Sequence, residues 1–245
     1  MLEFTTHNLP FFERKEIWFY NGEKLKTSSY TVFCAAKKLF GTQNVLYEKY
    51  QTSVINLLKE EEALFEAIHP TFRYDIRSAE KMEIKTDVFL NPGKTECGKL
   101  IFDYNLFAKD KGLPAMNEKW IYALQKKGNL CFSKAYLKNN EIATHVYIFD
   151  EQTISLSSSF HNIFFTDDKI RSAANKLLHW KDVVSFKNKG FTEYDFGGLN
   201  PTKLPGVSKF KSNFGGESTE NFRFIMTSSF LFSLIKLFKK FSRNG

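Results

Sequence analysis

The stretch Leu130–Phe160, LCFSKAYLKNNEIATHVYIFDEQTISLSSSF, decides the fold class of this 245-residue chain. Three β-prone runs, Leu130–Tyr136, Glu141–Phe149 and Thr153–Phe160, are separated by Asn139-Asn140 and by Asp150-Glu151-Gln152. Asn and Asp suit tight turns, so the spacing predicts an antiparallel meander. Downstream, Thr166 or Asp167 can cap a helix over Lys169–Lys189, whose Ile170, Ala173, Ala174, Leu177 and Val184 make one apolar face. Gly190 stops that helix as a C′ glycine does, and a strand, Thr192–Phe196, follows. Upstream, Gln51–Glu66 reads as a strand leading into a helix that Pro70 ends. Phe72–Ile84, Phe102–Lys111 and Asn117–Lys127 read as helices, with Asn91–Gly98 a loop and Gly112-Leu113-Pro114 a break. Ile17–Tyr20 and Tyr30–Cys34 are β-prone, Leu199–Gly216 is a lysine-bearing loop, and Phe222–Thr227 is a last strand. The sum is an α+β fold with a central, mostly antiparallel sheet flanked by helices.

With 42% hydrophobic and 25% charged residues the chain is globular rather than disordered. Cys34, Cys97 and Cys131 are far apart and odd in number, which excludes a disulfide framework and a zinc ribbon. His7, His69, His145, His161 and His179 show no HExxH or HxH spacing, so no metal site is expected. The net charge of +8 is concentrated late in the chain. From Leu199 onward there are eight basic and two acidic residues. Such a region either meets an anionic partner (a phosphate-bearing substrate, RNA or lipid headgroups) or solubilises the surface. Residues 230–243, FLFSLIKLFKKFSR, combine an apolar face with Lys236, Lys239, Lys240 and Arg243. That basic amphipathic helix, over residues 229–245, can touch a membrane interface peripherally or pack as a terminal helix. No leader or spanning segment is evident, so the expected location is cytoplasmic, at the inner face of the membrane if that helix binds it.

Chemistry concentrates in Tyr194–Glu217, YDFGGLNPTKLPGVSKFKSNFGGE. Two double glycines and Gly206 allow close backbone approach or positive φ. Asp195 stands at a strand end before the first pair, where it can serve a substrate or cap its own turn. If the segment carrying Lys209, Phe210 and Lys211 is extended, both lysines share one side and Phe210 the other. A lysine aimed into a glycine-rich loop makes a pocket rim; the other reading is a solvated loop. Arg73, Arg77 and Lys81 recur every four residues, a basic stripe for phosphates or a solvated face, with Phe72, Ile76 and Ala79 packing inward. His161 follows Ser157-Ser158-Ser159 at a strand end. No GxSxG elbow accompanies these serines, which sets a serine hydrolase aside.

The run of helix, YDFGG, loop and GVSKFKSNFGGE resembles the C-terminal signature of Fem-type (FemABX-like) transferases of the GNAT superfamily. Leu64–Ile84, LFEAIHPTFRYDIRSAEKMEI, is similar to the same family's basic-helix segment, and the helix Ala174–Gly190 with Trp180 also matches. The likeness covers about Leu64 to Glu217. It implies one GNAT-like domain over residues 1–228, with 64–228 the best-matching core and 1–63 an abbreviated N-terminal part, since Fem proteins carry two such halves. It further implies transfer of an acyl or aminoacyl group to an amine on a cell-envelope glycan or its nucleotide- or lipid-linked precursor. By the resemblance, Lys211 with the backbone at Phe210 serves the oxyanion, and Asp195 orients the amine or takes its proton. His161 is a further base candidate. Arg73, Arg77, Lys81, Lys209, Tyr194, Gly197 and Gly198 are the substrate-binding candidates. Acyl-CoA enzymes of the superfamily place a glycine-rich Q/RxxGxG/A loop before the helix to hold pyrophosphate. Here the matching His161–Arg171, HNIFFTDDKIR, has no glycine and carries Asp167 and Asp168. No tightly bound cofactor is expected, and aminoacyl-tRNA is favoured as donor over acyl-CoA. The rival readings are an acyl-CoA-dependent sugar N-acyltransferase and a noncatalytic RNA- or membrane-surface-binding protein.

Overall fold

The computed structural model describes residues 1–9, 12–22, 30–38 and 45–227. The basic helix expected over 229–245, and the membrane contact expected through 230–243, lie outside the described residues. In chain order the elements are β1 (Leu2–Leu9), β2 (Phe12–Trp18), β3 (Tyr30–Ala36), β4 (Val45–Asn56), α1 (Glu61–Glu66) and α2 (Pro70–Lys81). There follow β5 (Lys85–Leu90), α3 (Lys94–Lys111), α4 (Glu118–Lys127), β6 (Leu130–Leu137), β7 (Asn140–Phe149) and β8 (Thr153–His161). The chain continues with α5 (Asp168–Asn188), β9 (Glu193–Leu199), α6 (Pro205–Ser212) and β10 (Glu217–Thr227). Among the described residues no helix is long and apolar enough to cross a membrane.

The chain divides into two compact units, residues 52–219 and residues 1–51 with the segment from 220. In the smaller unit β1 and β2 are antiparallel, β2 and β3 parallel, and β3 pairs antiparallel with β10. Its core is Ile17, Tyr20, Phe33, Ala36 and Phe224, with the Phe33 and Phe224 rings stacked 4.1 Å apart.

The larger unit orders its strands β4–β9–β8–β7–β6–β5, with residues 52–56 of β4 belonging to it. The expected meander is present: β6, β7 and β8 pair antiparallel, and β5, which the sequence did not announce, adds antiparallel to β6. The pairing of β8 with β9 is parallel and registers only Thr153–Ser155 against Glu193–Asp195. Alternation along β7 separates the faces. His145 and Tyr147 look toward α5, whereas Phe160 of β8, paired with Thr144, meets Tyr104 and Phe107 of α3 on the other side. The core joins Leu64, Ile68, Ile76 and Ala79 to Leu177, Leu178, Trp180, Phe186, Phe196 and Phe214.

Local chemistry sets the boundaries. Asp167 caps α5 by accepting from the Lys169 and Ile170 N–H groups, both at 3.0 Å. Left-handed Gly112 and Gly128 end α3 and α4. Three expectations need correction. Pro70 opens α2 at its first turn, where a missing N–H costs nothing, while α1 has already ended at Glu66. Pro92-Gly93 precedes a helix beginning at Lys94, so the loop is shorter than Asn91–Gly98. Leu199–Gly216 is not all loop: Pro205, at a helix-opening position, starts α6.

Candidate active site

Beyond Ser155 and Asp195 the parallel strands β8 and β9 are no longer in register, and α6 lies against β9. A cavity of about 370 Å³ opens there, lined by Leu156, Ser159, Asn175, His179, Phe196, Gly206, Val207, Phe210 and Lys211. Because α6 is helical, Lys209 and Lys211 lie about 200° apart around its axis rather than on one side. Lys209 is exposed, while Lys211 and Phe210 line the cavity. The extended-segment reading of this pair is thereby corrected.

Lys211 Nζ donates to the Gly198 carbonyl at 2.9 Å. Burial lowers its pKa, and the charge of Asp195 works in the opposite sense. Gly197 has φ +74°, and a Cβ there would sit 3.1 Å from the Leu156 carbonyl and 3.8 Å from Lys211 Nζ. Glycine at 197 therefore lets β9 pass close to β8 beside the lysine. Asp195 is 4% exposed and is not a cavity-lining residue. Its Oδ1 accepts from the Gly197 N–H at 2.7 Å and from the Thr52 hydroxyl. Burial raises its pKa against those two bonds. Gly215 and Gly216 serve packing instead: added Cβ atoms would lie 2.7 Å from Ala67 Cβ and 2.4 Å from Ser53 Oγ, respectively.

The other expected residues are dispersed. His161 lines a neighbouring cavity of about 260 Å³ with Asp168, Arg171 and Ser172, which shares Ser159 and Asn175 with the first. Burial, then Arg171, lowers the pKa of His161. Arg77 packs its guanidinium over Phe65, 5.3 Å from the ring centre, in a depression that also holds Glu61, Glu62 and Glu80. Those three carboxylates outnumber Arg77 and Lys181, the two cations of that lining, which disfavours phosphate there, though Arg73 and Lys81 share the helix of Arg77. Tyr194 is fully buried beneath the cavity.

Beneath His179 lies a network of which the sequence reading singled out only Tyr194. His179 Nδ1 is 3.0 Å from Tyr194 Oη, which is 3.0 Å from Tyr147 Oη. Tyr147 donates to Asp182 Oδ2 at 2.6 Å. Ser133 Oγ and His145 Nδ1 reach the same oxygen, each at 2.8 Å. Asp182 Oδ1 is buried with no partner among the described residues. His145 Nε2 contacts Asn175 Oδ1 at 2.9 Å. Burial pushes both phenols well above their ordinary range, with Asp182 adding to the effect. Burial drives His179 well below the ordinary histidine range, with His145 and Lys211 adding to it.

The ligand atoms of His145, His179 and Asp182 come within 4.8 Å of one another, close enough to ask whether they hold a metal. The two imidazoles are stacked, 3.9 Å between centres and 25° between planes. A ring nitrogen ligates along its own plane at about 2.1 Å. An ion in the plane of one ring therefore lies well off the plane of the other. The cluster does not fit a metal; it is a hydrogen-bonded network. A sequence clue to it existed in α5, where Asn175, Lys176, His179 and Asp182 put polar groups on a helix that is otherwise largely buried.

No protein-family model matches the chain, and no curated protein matches it in sequence. Solved structures do match. The crystal structure of FemX superposes with a TM-score of 0.61 at 13% identity, covering 84% of this chain and 68% of that one. The C-terminal domain of a protein assigned as a lysylphosphatidylglycerol synthetase from Agrobacterium fabrum gives 0.55 at 8% identity, covering 84% and 70%. L-PGS from Bacillus licheniformis gives 0.53 at 11% identity, covering 81% and 68%. The chain shares the fold of these proteins, as the sequence resemblance to Fem-type transferases implied.

Proposed function

We propose that the chain is an acyltransferase of the Fem type, moving an aminoacyl group from aminoacyl-tRNA to an amine on a cell-envelope glycan or its nucleotide- or lipid-linked precursor. The observation that carries this reading is the cavity where β8 and β9 part, with Lys211 in its wall. Acyl transfer needs a carbonyl held in reach of an amine and a donor for the oxygen that gains charge. Lys211 spends one N–H on Gly198 and has others to give the oxyanion. An open cavity around this lysine favours an enzyme over a surface-binding protein that keeps only the fold.

The start of α5 bears on the choice of donor. There the Asp167 carboxylate already accepts from two of the N–H groups that a coenzyme A pyrophosphate would need, and exposed Asp168 adds a second negative charge. This supports aminoacyl-tRNA over acyl-CoA, which remains the alternative donor for a sugar N-acyltransferase.

The test incubates purified protein with a mixture of radiolabelled aminoacyl-tRNAs and either nucleotide-linked or lipid-linked envelope precursors. Label should appear in a precursor fraction as a hydroxylamine-resistant amide. Label confined to a hydroxylamine-labile ester would replace the amine acceptor with an alcohol. No transfer from any tRNA, with transfer from an acyl-CoA panel, would overturn the donor.

A further inference from the structure

The network beneath the cavity has a direction. An ionised carboxylate can only accept, whereas each phenol has one proton to give. Tyr147 gives its proton to Asp182 Oδ2 at 2.6 Å, so its oxygen can only accept from Tyr194 at 3.0 Å. Tyr194, having given its own proton, must accept from His179 Nδ1 at 3.0 Å. The carboxylate thus dictates, three bonds away, which nitrogen of His179 carries hydrogen. Nε2 is left with its lone pair. It has no hydrogen-bond partner among the described residues, is not among the enclosed polar atoms, and belongs to a side chain that lines the cavity with Lys211.

Resting on the transferase reading above, we propose that His179 is its general base, held by the Tyr194–Tyr147–Asp182 chain as the neutral Nδ1–H tautomer with Nε2 facing the substrate. The amine nitrogen of the acceptor bonds to the ester carbonyl carbon of the aminoacyl donor, and the carbonyl oxygen takes the negative charge toward Lys211. Nε2 accepts the proton the amine sheds. As the tetrahedral carbon collapses, the bond to the tRNA ribose oxygen breaks, and Nε2 returns that proton to the leaving oxygen. His179 ends as it began, and no co-reactant is consumed. The groups facing it are Lys211 from α6, His145 and Tyr147 from β7, Tyr194 from β9 and Asp182 from its own helix. Two of these disfavour an imidazolium, so the site keeps the ring neutral between turnovers. The bond chain to Asp182 supports the charge during the step, the role a buried carboxylate plays behind a catalytic histidine.

The experiment is long-range proton–nitrogen correlation NMR on the 15N-labelled full chain at pH 7, free of substrate. His179 should appear neutral, with Nδ1 protonated and Nε2 bare. An Nε2–H tautomer or an imidazolium would overturn the proposal. Tyr194→Phe removes the acceptor at Nδ1 and should shift the tautomer ratio about five- to tenfold toward Nε2–H, the worth of one hydrogen bond. Tyr147→Phe, one link farther, frees the Tyr194 proton and should shift it the same way. Ratios unchanged in both variants would overturn the relay. These two carry the test because Asp182→Asn can fail to fold. In the transfer assay His179→Gln should lose about 10²–10⁴ in kcat. A variant as fast as an active wild type would overturn the base assignment. A wild type that transfers nothing would count against the transferase reading, while the tautomer, measured on the free protein, is judged on its own resonances.

Discussion

Lys211 Nζ and the Gly198 carbonyl oxygen are 2.9 Å apart, joining α6 to the end of β9 across thirteen residues. The bond holds the lysine head at the cavity wall. Removing one oxyanion donor typically costs about 10²–10³ in kcat. Lys211→Ala should lose activity on that order, with its melting temperature close to wild type because the side chain is only half buried. A small kinetic loss would remove Lys211 from the chemistry, and a large loss with unfolding would make it structural.

Coenzyme A should not bind in the micromolar range, because the first turn of α5 is capped by Asp167 and bordered by Asp168. Isothermal calorimetry checks this directly. A micromolar constant would promote acyl-CoA to donor.

Acid should weaken the fold through His179. Its folded pKa lies below the unfolded value of 6.5, so the unfolded chain takes up a proton that the folded one refuses. The associated stability is complete above about pH 6.5 and is lost as pH falls from there toward the folded pKa. Within that window the loss is about 1.4 kcal/mol per pH unit. Urea unfolding at pH 7.5, 6.0 and 5.0 should show wild type declining more steeply than His179→Gln by about that slope. Parallel declines would place the acid sensitivity elsewhere.

Gly215 and Gly190 separate two costs of a side chain. Both have positive φ, +78° and +89°, but a Cβ at 190 meets nothing within 4 Å, whereas at 215 it falls 2.7 Å from both Cβ and O of Ala67. Gly190→Ala should cost about 1–2 kcal/mol for backbone strain alone. Gly215→Ala adds a clash with backbone and should cost about 1–3 kcal/mol more. Equal urea midpoints for the two variants would show that the Ala67 segment yields.

The meander was legible because Asn139-Asn140 and Asp150-Glu151-Gln152 punctuate strands of plain β character. The helix at 168–188 was legible from its cap and its stop glycine. By contrast β5, KTDVFL, is short and begins with charged and polar residues, so it emerges only when β6 offers it an edge. Lys211 and Phe210 line the cavity by helical rather than extended geometry, since Pro205 can start a helix as readily as it can sit in a loop. Asp182 and His145 are 37 residues apart in sequence and 2.8 Å apart in space. Only the packing of α5 on β7 brings them together. His179 and Asp182, three apart on one helix, were the part of the network a sequence could have shown.

Helix α6 is eight residues long, too short to persist alone in water. Its order is lent by Phe210 and Phe214, whose rings meet Phe72 at 5.2 and 5.4 Å, and by Phe214 against Phe196 at 5.1 Å. The cavity wall can therefore melt on its own, without global unfolding, whenever those aromatic contacts part. Phe72 is outside the cavity, yet it helps set the free energy of that local opening. The steadiness of the wall that carries Lys211 is thus set in part by a residue that does not itself line the cavity.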